Sequence, residues 1–218
     1  MDHLTVTGGH TFDMDRKIVL SCYDKLLAEA APGPGLVGWH NVESQQVRFR
    51  VLCGVGEVSC RTSILDVGCG DGALYRFLCM LNLRPKRYLG IDIHEGLVRL
   101  AQSHFPPPAD FCVRDLCQQP FDREFDYVVA SGIFNLRTPN GQRWMEQTLR
   151  EMFSACRLGV SVNFLSEWTP FKRDTESWYH SPLTTLQWVH HVLSPNVSLR
   201  HDYRGNDFTL YIYKEPLA

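Results

Sequence analysis

The sequence predicts an α/β protein built on one mostly parallel sheet. Three observations carry that expectation. From Ser63 onward, short apolar strands alternate with helical segments, which implies parallel βαβ units. The first strand runs into a glycine-rich turn, Gly68-Cys69-Gly70-Asp71-Gly72, that opens a helix. The last two strands are separated only by Arg204-Gly205-Asn206-Asp207, so the sheet closes on an antiparallel hairpin.

Each element follows in order. Residues 14–30 read as a helix with apolar Ile18, Leu20, Leu26 and Leu27. Pro32-Gly33-Pro34-Gly35 breaks it. Ser44 is placed to cap a second helix reaching about Cys53. These pieces form an N-terminal helical cover, residues 1–59, on a single α/β unit, residues 60–218. Ile64–Val67 is a buried strand, and a helix follows from about Gly72 to Leu81. Strand 88–93 leads to a helix from Glu95 to Ser103. Strands are expected at 111–113, 125–131 and 160–164, with a helix at 142–153 before the last of these. A helix near 184–193 and strands 197–203 and 208–213 complete the chain.

Length and composition narrow the function. A chain of 218 residues suits one globular domain. The 22 Lys+Arg nearly balance the 24 Asp+Glu, giving a net charge of −2. No basic stripe is visible, so nucleic acid is not an expected partner. No apolar run reaches the roughly 18–20 residues of a membrane span, so no membrane role is expected. The N-terminus lacks a secretory pattern, and the cytoplasm is the expected location. Eight cysteines occur without a CxxC pair. They read as small buried hydrophobes, and no metal site is expected.

The glycine turn carries the first chemistry. Its glycines admit a ligand without Cβ clashes, and the helix that follows favours a negative group. On its own the pattern also fits a dinucleotide fingerprint, since Gly68, Gly70 and Ala73 satisfy G-x-G-x-x-A. Asp92 ends the second strand, where a carboxylate can accept both ribose hydroxyls. Asp115 follows the third strand, where a carboxylate can accept an adenine amine.

With these residues in place, the sequence resembles the class I S-adenosylmethionine-dependent methyltransferases over roughly residues 60–214. ILDVGCGDG resembles their first motif, which cradles the methionine part of the cofactor. YLGIDI resembles the ribose motif, VRDL the adenine motif, and FDYVVASGIFN the segment bordering the transferred methyl. The resemblance implies a Rossmann-like, seven-stranded sheet with its seventh strand antiparallel beside the fifth. It implies S-adenosyl-L-methionine as cofactor, held by Asp66, Gly68, Gly70, Gly72, Asp92, Ile93, Asp115, Leu116 and Ser131. Trp39 or Tyr23 is placed to face the sulfonium.

Ligands of open α/β sheets bind beyond the carboxyl ends of the strands. That rule selects Ser131 to Asn135 after strand four and the aromatic segment 167–182 after strand five, a candidate lid. Asn135, Tyr179 and His180 are the candidate catalytic residues, with Asp207 a further candidate base. The expected substrate is a small polar metabolite methylated by in-line transfer. Two other readings stay open. One is an S-adenosylmethionine-consuming cyclase like the azetidine-2-carboxylate synthases; the other is a non-catalytic cofactor-binding module.

Overall fold

A computed structural model describes residues 11–29, 41–107 and 109–216. The expected break at residues 32–35 and Trp39 lie outside them. Helices α1 (Asp13–Glu29) and α2 (Val42–Leu52) precede strand β1 (Ser63–Val67). Then come α3 (Ala73–Met80), β2 (Arg87–Asp92), α4 (Glu95–His104), β3 (Ala109–Val113) and β4 (Phe125–Ala130). The chain finishes with α5 (Gly141–Ala155), β5 (Cys156–Leu165), α6 (Pro182–Val192), β6 (Val197–Arg200) and β7 (Asp207–Tyr213).

The seven strands form one sheet in the order β3-β2-β1-β4-β5-β7-β6. The first five are parallel, and β7 pairs antiparallel with both β5 and β6. Strand order reverses between β1 and β4, so the crevice beyond their carboxyl ends is the expected ligand site.

Both faces of the sheet are covered, and the pleat sorts its side chains. Leu65, Val67, Val128 and Ala130 face one core with Met145, Leu149 and Met152 of α5. Ile64 and Val129 face the other with Phe49 and Leu52 of α2, Phe77 and Leu78 of α3, and Val98 of α4. Each such fully buried Leu or Phe contributes roughly 1.5–3 kcal/mol. Because α2 supplies part of that second core, it is integral to the sheet's packing.

Three local expectations need correction. The cap of α2 is Asn41, whose side chain accepts from Ser44 N at 2.7 Å; Ser44 already lies within the first turn. Strand β5 is ten residues long because both its edges are paired, by β4 and β7. The hairpin connection spans residues 201–206, since β6 ends at Arg200 and β7 starts at Asp207. Neither Gly205 nor Asn206 takes a positive φ. Asp207 joins the strand because Arg48 of α2 holds its carboxylate, at 3.0 and 2.8 Å.

Candidate functional site

A cavity lies at the carboxyl ends of β1, β2 and β4, roofed by α1. Gly68, Gly70, Asp92, Ile93, Asp115, Leu116 and Ser131 line it, together with Val19 and Tyr23 of α1 and Trp144 and Thr148 of α5. Seven of the expected cofactor residues therefore meet in one place. The turn bends there because Gly68 has φ +73°, and a Cβ at that position would come within 2.2 Å of Ile133 Cγ2. Gly72, at φ +81°, starts α3 and backs onto Phe105 and Phe111 instead of the cavity.

Asp92 is the fixed acceptor of this cavity. Its Oδ2 accepts from Gly70 N at 3.0 Å and its Oδ1 from His94 N at 2.9 Å. Each oxygen keeps a lone pair for a further donor. Burial raises its pKa, while the His94 and Gly70 amides pull the other way. His94 caps α4, its Nδ1 accepting from Leu97 N at 3.2 Å.

A second, smaller cavity of about 30 Å³ shares Gly68 and Ser131 with the first. Asp66, Asp71 and Gln45 line it. Asp66 is 2 % exposed and accepts from the Tyr88 hydroxyl at 2.5 Å. Burial, aided by the Asp92 charge and opposed by the Tyr88 bond, pushes Asp66 up to about 7. Asp71 Oδ1 is buried with no hydrogen-bond partner among the described residues. Two acids around so small a space suit a cation the size of an ammonium.

Helix α1 is tied down at three points. Buried Asp15 accepts from Asn140 N at 2.8 Å and Asn140 Nδ2 at 3.0 Å. Arg16 Nε donates to the Asp115 carboxylate, whose other oxygen accepts from Cys117 N at 2.8 Å. Asp24 meets His94 Nε2 at 3.2 Å. Phe12 stacks on Trp144 with centroids 6.1 Å apart. The main cavity beneath α1 is narrow, about 110 Å³, against roughly 300–1,000 Å³ for typical small-molecule sites.

The expected catalytic residues Asn135, Tyr179 and His180 are not among the residues lining this cavity. His180 is 3 % exposed, packs 5.0 Å from the Phe164 ring and 4.2 Å from Trp178, and has Nε2 3.0 Å from Phe134 O. Burial lowers its pKa to about 4. Tyr179 donates its hydroxyl to Asp174 at 3.0 Å within its own loop. Asn135 O accepts from Trp178 N at 2.8 Å, while Asn135 Oδ1 is buried without a partner among the described residues. Asp207 is engaged by Arg48 and Arg204.

The aromatic segment is likewise stitched down on one side. Leu136 bridges Ser177, Ser166 bridges His180, and Arg137 N donates to Glu176 O. Its outer part exposes Trp168 and Phe171. Asn163 of β5 orients the turn after β4, accepting from Gly132 N at 2.8 Å and donating to Ser131 Oγ at 3.2 Å. Sequence reasoning missed Arg16, Asp71 and Trp144. The one available signal was the spacing of Phe12, Arg16, Val19 and Tyr23, which places them on one helical face.

No group of three or more His, Cys, Asp or Glu among the described residues could hold a metal ion. No helix among them is long and apolar enough to cross a membrane.

The strand order and the cavity at the switch point define a Rossmann-like α/β protein with a candidate ligand site. Residues 64–159 match the family described as methyltransferase domain. Over 159 residues, 70 % of this chain and 93 % of the relative, the sequence is 35 % identical to "Putative methyltransferase Rv1506c" of Mycobacterium tuberculosis. The fold is similar to magnesium protoporphyrin IX methyltransferase from Synechocystis PCC 6803 with bound SAH. That match has a TM-score of 0.63 at 16 % identity, over 92 % of this chain and all of that one. It is also similar to human N-acetylserotonin methyltransferase in complex with SAM, with a TM-score of 0.59 at 18 % identity. Here 78 % of this chain and 54 % of that one are covered. The chain belongs to the methyltransferase family of the Mycobacterium tuberculosis relative, and its fold is that of methyltransferases solved with S-adenosylmethionine or S-adenosylhomocysteine bound.

Proposed function

We propose that the protein methylates a small polar metabolite, with Asp92, Asp115 and the Gly68–Gly70 turn holding the cofactor. The observation that carries this reading is the convergence of those residues on one cavity under α1. Asp92 offers two oxygens to a ribose diol. Asp115, at the end of β3, offers an acceptor to the adenine amine. Asp66 and Asp71, with Gln45, receive the ammonium of the methionine arm in the smaller cavity. Ser131 stands where the two cavities join.

When bound, S-adenosylmethionine would supply a methyl carbon activated by the sulfonium, with the displaced carbon–sulfur pair kept on sulfur and the acceptor's proton released to solvent. The chain's own work is alignment and exclusion of water. Helix α1 closes the cavity with Val19 and Tyr23, and its polar tethers fix that roof. With His180 and Tyr179 engaged elsewhere, no general base is assigned to the chain.

The test is incubation with S-adenosylmethionine alone and with a low-molecular-weight metabolite extract, read by mass spectrometry. S-adenosylhomocysteine formed only with the extract is expected. Methylthioadenosine formed without it would mean the cyclase reaction instead. Failure to bind S-adenosylhomocysteine in calorimetry would remove the cofactor reading altogether.

A further inference from the structure

A groove of about 540 Å³ runs along the other flank of α1, between it and the loops after β4 and β5. This volume falls inside the roughly 300–1,000 Å³ of small-molecule sites. The groove and the cofactor cavity share α1 as a wall: Val19 and Tyr23 face the cavity, and Cys22 faces the groove. They also share the loop after β4, which gives Phe134 to the cavity and Leu136 to the groove. The groove thus adjoins the cofactor cavity across α1 and the loop after β4.

Its charge is one-sided. Lys17, Lys25 and Arg137 line it against a single acid, Glu176. None of these four is in an ion pair among the described residues. The chain as a whole carries a net charge of −2, so this excess of two positive charges runs against the overall balance. Unneutralised cations gathered in one concavity focus a positive potential and attract an anion. Arg137 supplies a planar fork suited to a carboxylate or phosphate, and the two lysines supply mobile point charges.

We propose that this groove is the acceptor site and that the acceptor carries an anionic group, a carboxylate or a phosphate. The proposal rests on the methyl-transfer reading above and names its substrate class. Lys17, Lys25 and Arg137 hold the anion at the outer end. The nucleophile then points inward past Cys22 and Leu136, towards the end of β4.

Two measurements test it. First, a low-molecular-weight extract is split on an anion exchanger, and both fractions are assayed for S-adenosylhomocysteine formation. Activity in the retained fraction is expected. The Lys17→Glu/Lys25→Glu double variant should raise KM for that fraction at least about tenfold, with S-adenosylhomocysteine affinity unchanged. Activity confined to the unretained fraction, or an unchanged KM, overturns the proposal. Second, the S-adenosylhomocysteine-bound protein is titrated with inorganic phosphate against chloride at equal ionic strength, and amide shifts are followed by NMR. Shifts at Lys17, Lys25 and Arg137, absent in the double variant, are expected; no shift there overturns the anion site. Turnover with neither fraction would refute the methyl-transfer reading, while the phosphate titration still judges the groove.

Discussion

Arg16 Nε donates to the Asp115 carboxylate, which ties α1 to the segment just past β3. The same carboxylate is the proposed acceptor for the adenine amine. Arg16 Nη2 is buried and has no partner among the described residues, so this guanidinium retains a donor. The α1 tether and the proposed recognition of the base therefore pass through one ion pair. Arg16→Met should weaken S-adenosylhomocysteine binding about tenfold, ~1.4 kcal/mol. It should also narrow the preference over S-inosylhomocysteine, which carries a 6-oxo group in place of the amine. Calorimetry with both ligands checks this. Equal losses for the two would show that Arg16 merely holds α1 down.

Asp92 faces the cavity with both oxygens oriented by backbone amides. Asp92→Ala should cost roughly 1–3 kcal/mol of cofactor affinity, the loss of hydrogen bonds to a charged acceptor. An unchanged titration curve would show that the ribose lies elsewhere.

Asp66 titrates in the folded protein near 7. Below that pH it is protonated and neutral, and offers an ammonium little. S-adenosylhomocysteine affinity should therefore rise with pH through 7 and level off above it. The slope below 7 approaches about tenfold per pH unit if Asp66 must lose its proton to bind. Asp66→Asn should flatten the profile. A wild-type affinity independent of pH between about 6 and 8 would remove Asp66 from the site.

His180 governs stability on the acid side. Its folded-state value of about 4 lies below the ordinary 6.5. Between those values the unfolded chain binds a proton that the native protein excludes. Stability should fall as pH drops from 6.5 towards 4, by at most about 3 kcal/mol from this group. Urea unfolding at several pH values should show a shallower fall in His180→Gln, which keeps a donor for Phe134 O but does not titrate.

Arg48 and Asp207 form a buried pair, 5 % and 2 % exposed. Burial raises the Asp207 pKa, and Arg48 opposes the rise. Arg48→Met strands that carboxylate and should cost about 3 kcal/mol. The figure is at the low end because Arg204 Nε remains 3.4 Å from Asp207. The further change Asp207→Leu should recover part of the loss in thermal unfolding. No recovery would mean that Arg48 acts through its packing in α2.

The strand order was legible because each βαβ unit announces itself locally, by an apolar run, a turn and an amphipathic helix. The cavity's floor was legible for the same reason: Gly68, Gly70, Asp92 and Asp115 lie at or just past the carboxyl ends of strands. Its roof was not. Arg16 and Asp115 are 99 residues apart in sequence, and nothing near Arg16 signals that partner. The partners of His180 and Tyr179 were not legible, because an aromatic-rich loop after β5 looks the same whether its rings face a ligand or anchor the loop. Asn41 and Ser44 are both good caps, and only backbone geometry chose between them. Asp207 looked like a turn residue until Arg48, on a helix far upstream, gave its charge a partner.

The insertion of β7 between β5 and β6 also bears on how the protein is made. Until residues 207–213 have left the ribosome, β5 presents an open edge and β6 has no neighbour in the sheet. The strand that fills the gap is buried along its whole length. The nascent sheet must therefore wait, with one hydrogen-bonding edge uncovered, until β7 is made. During that interval the exposed edge can pair with other chains. A chaperone that shields the edge of β5 would act at this stage of synthesis.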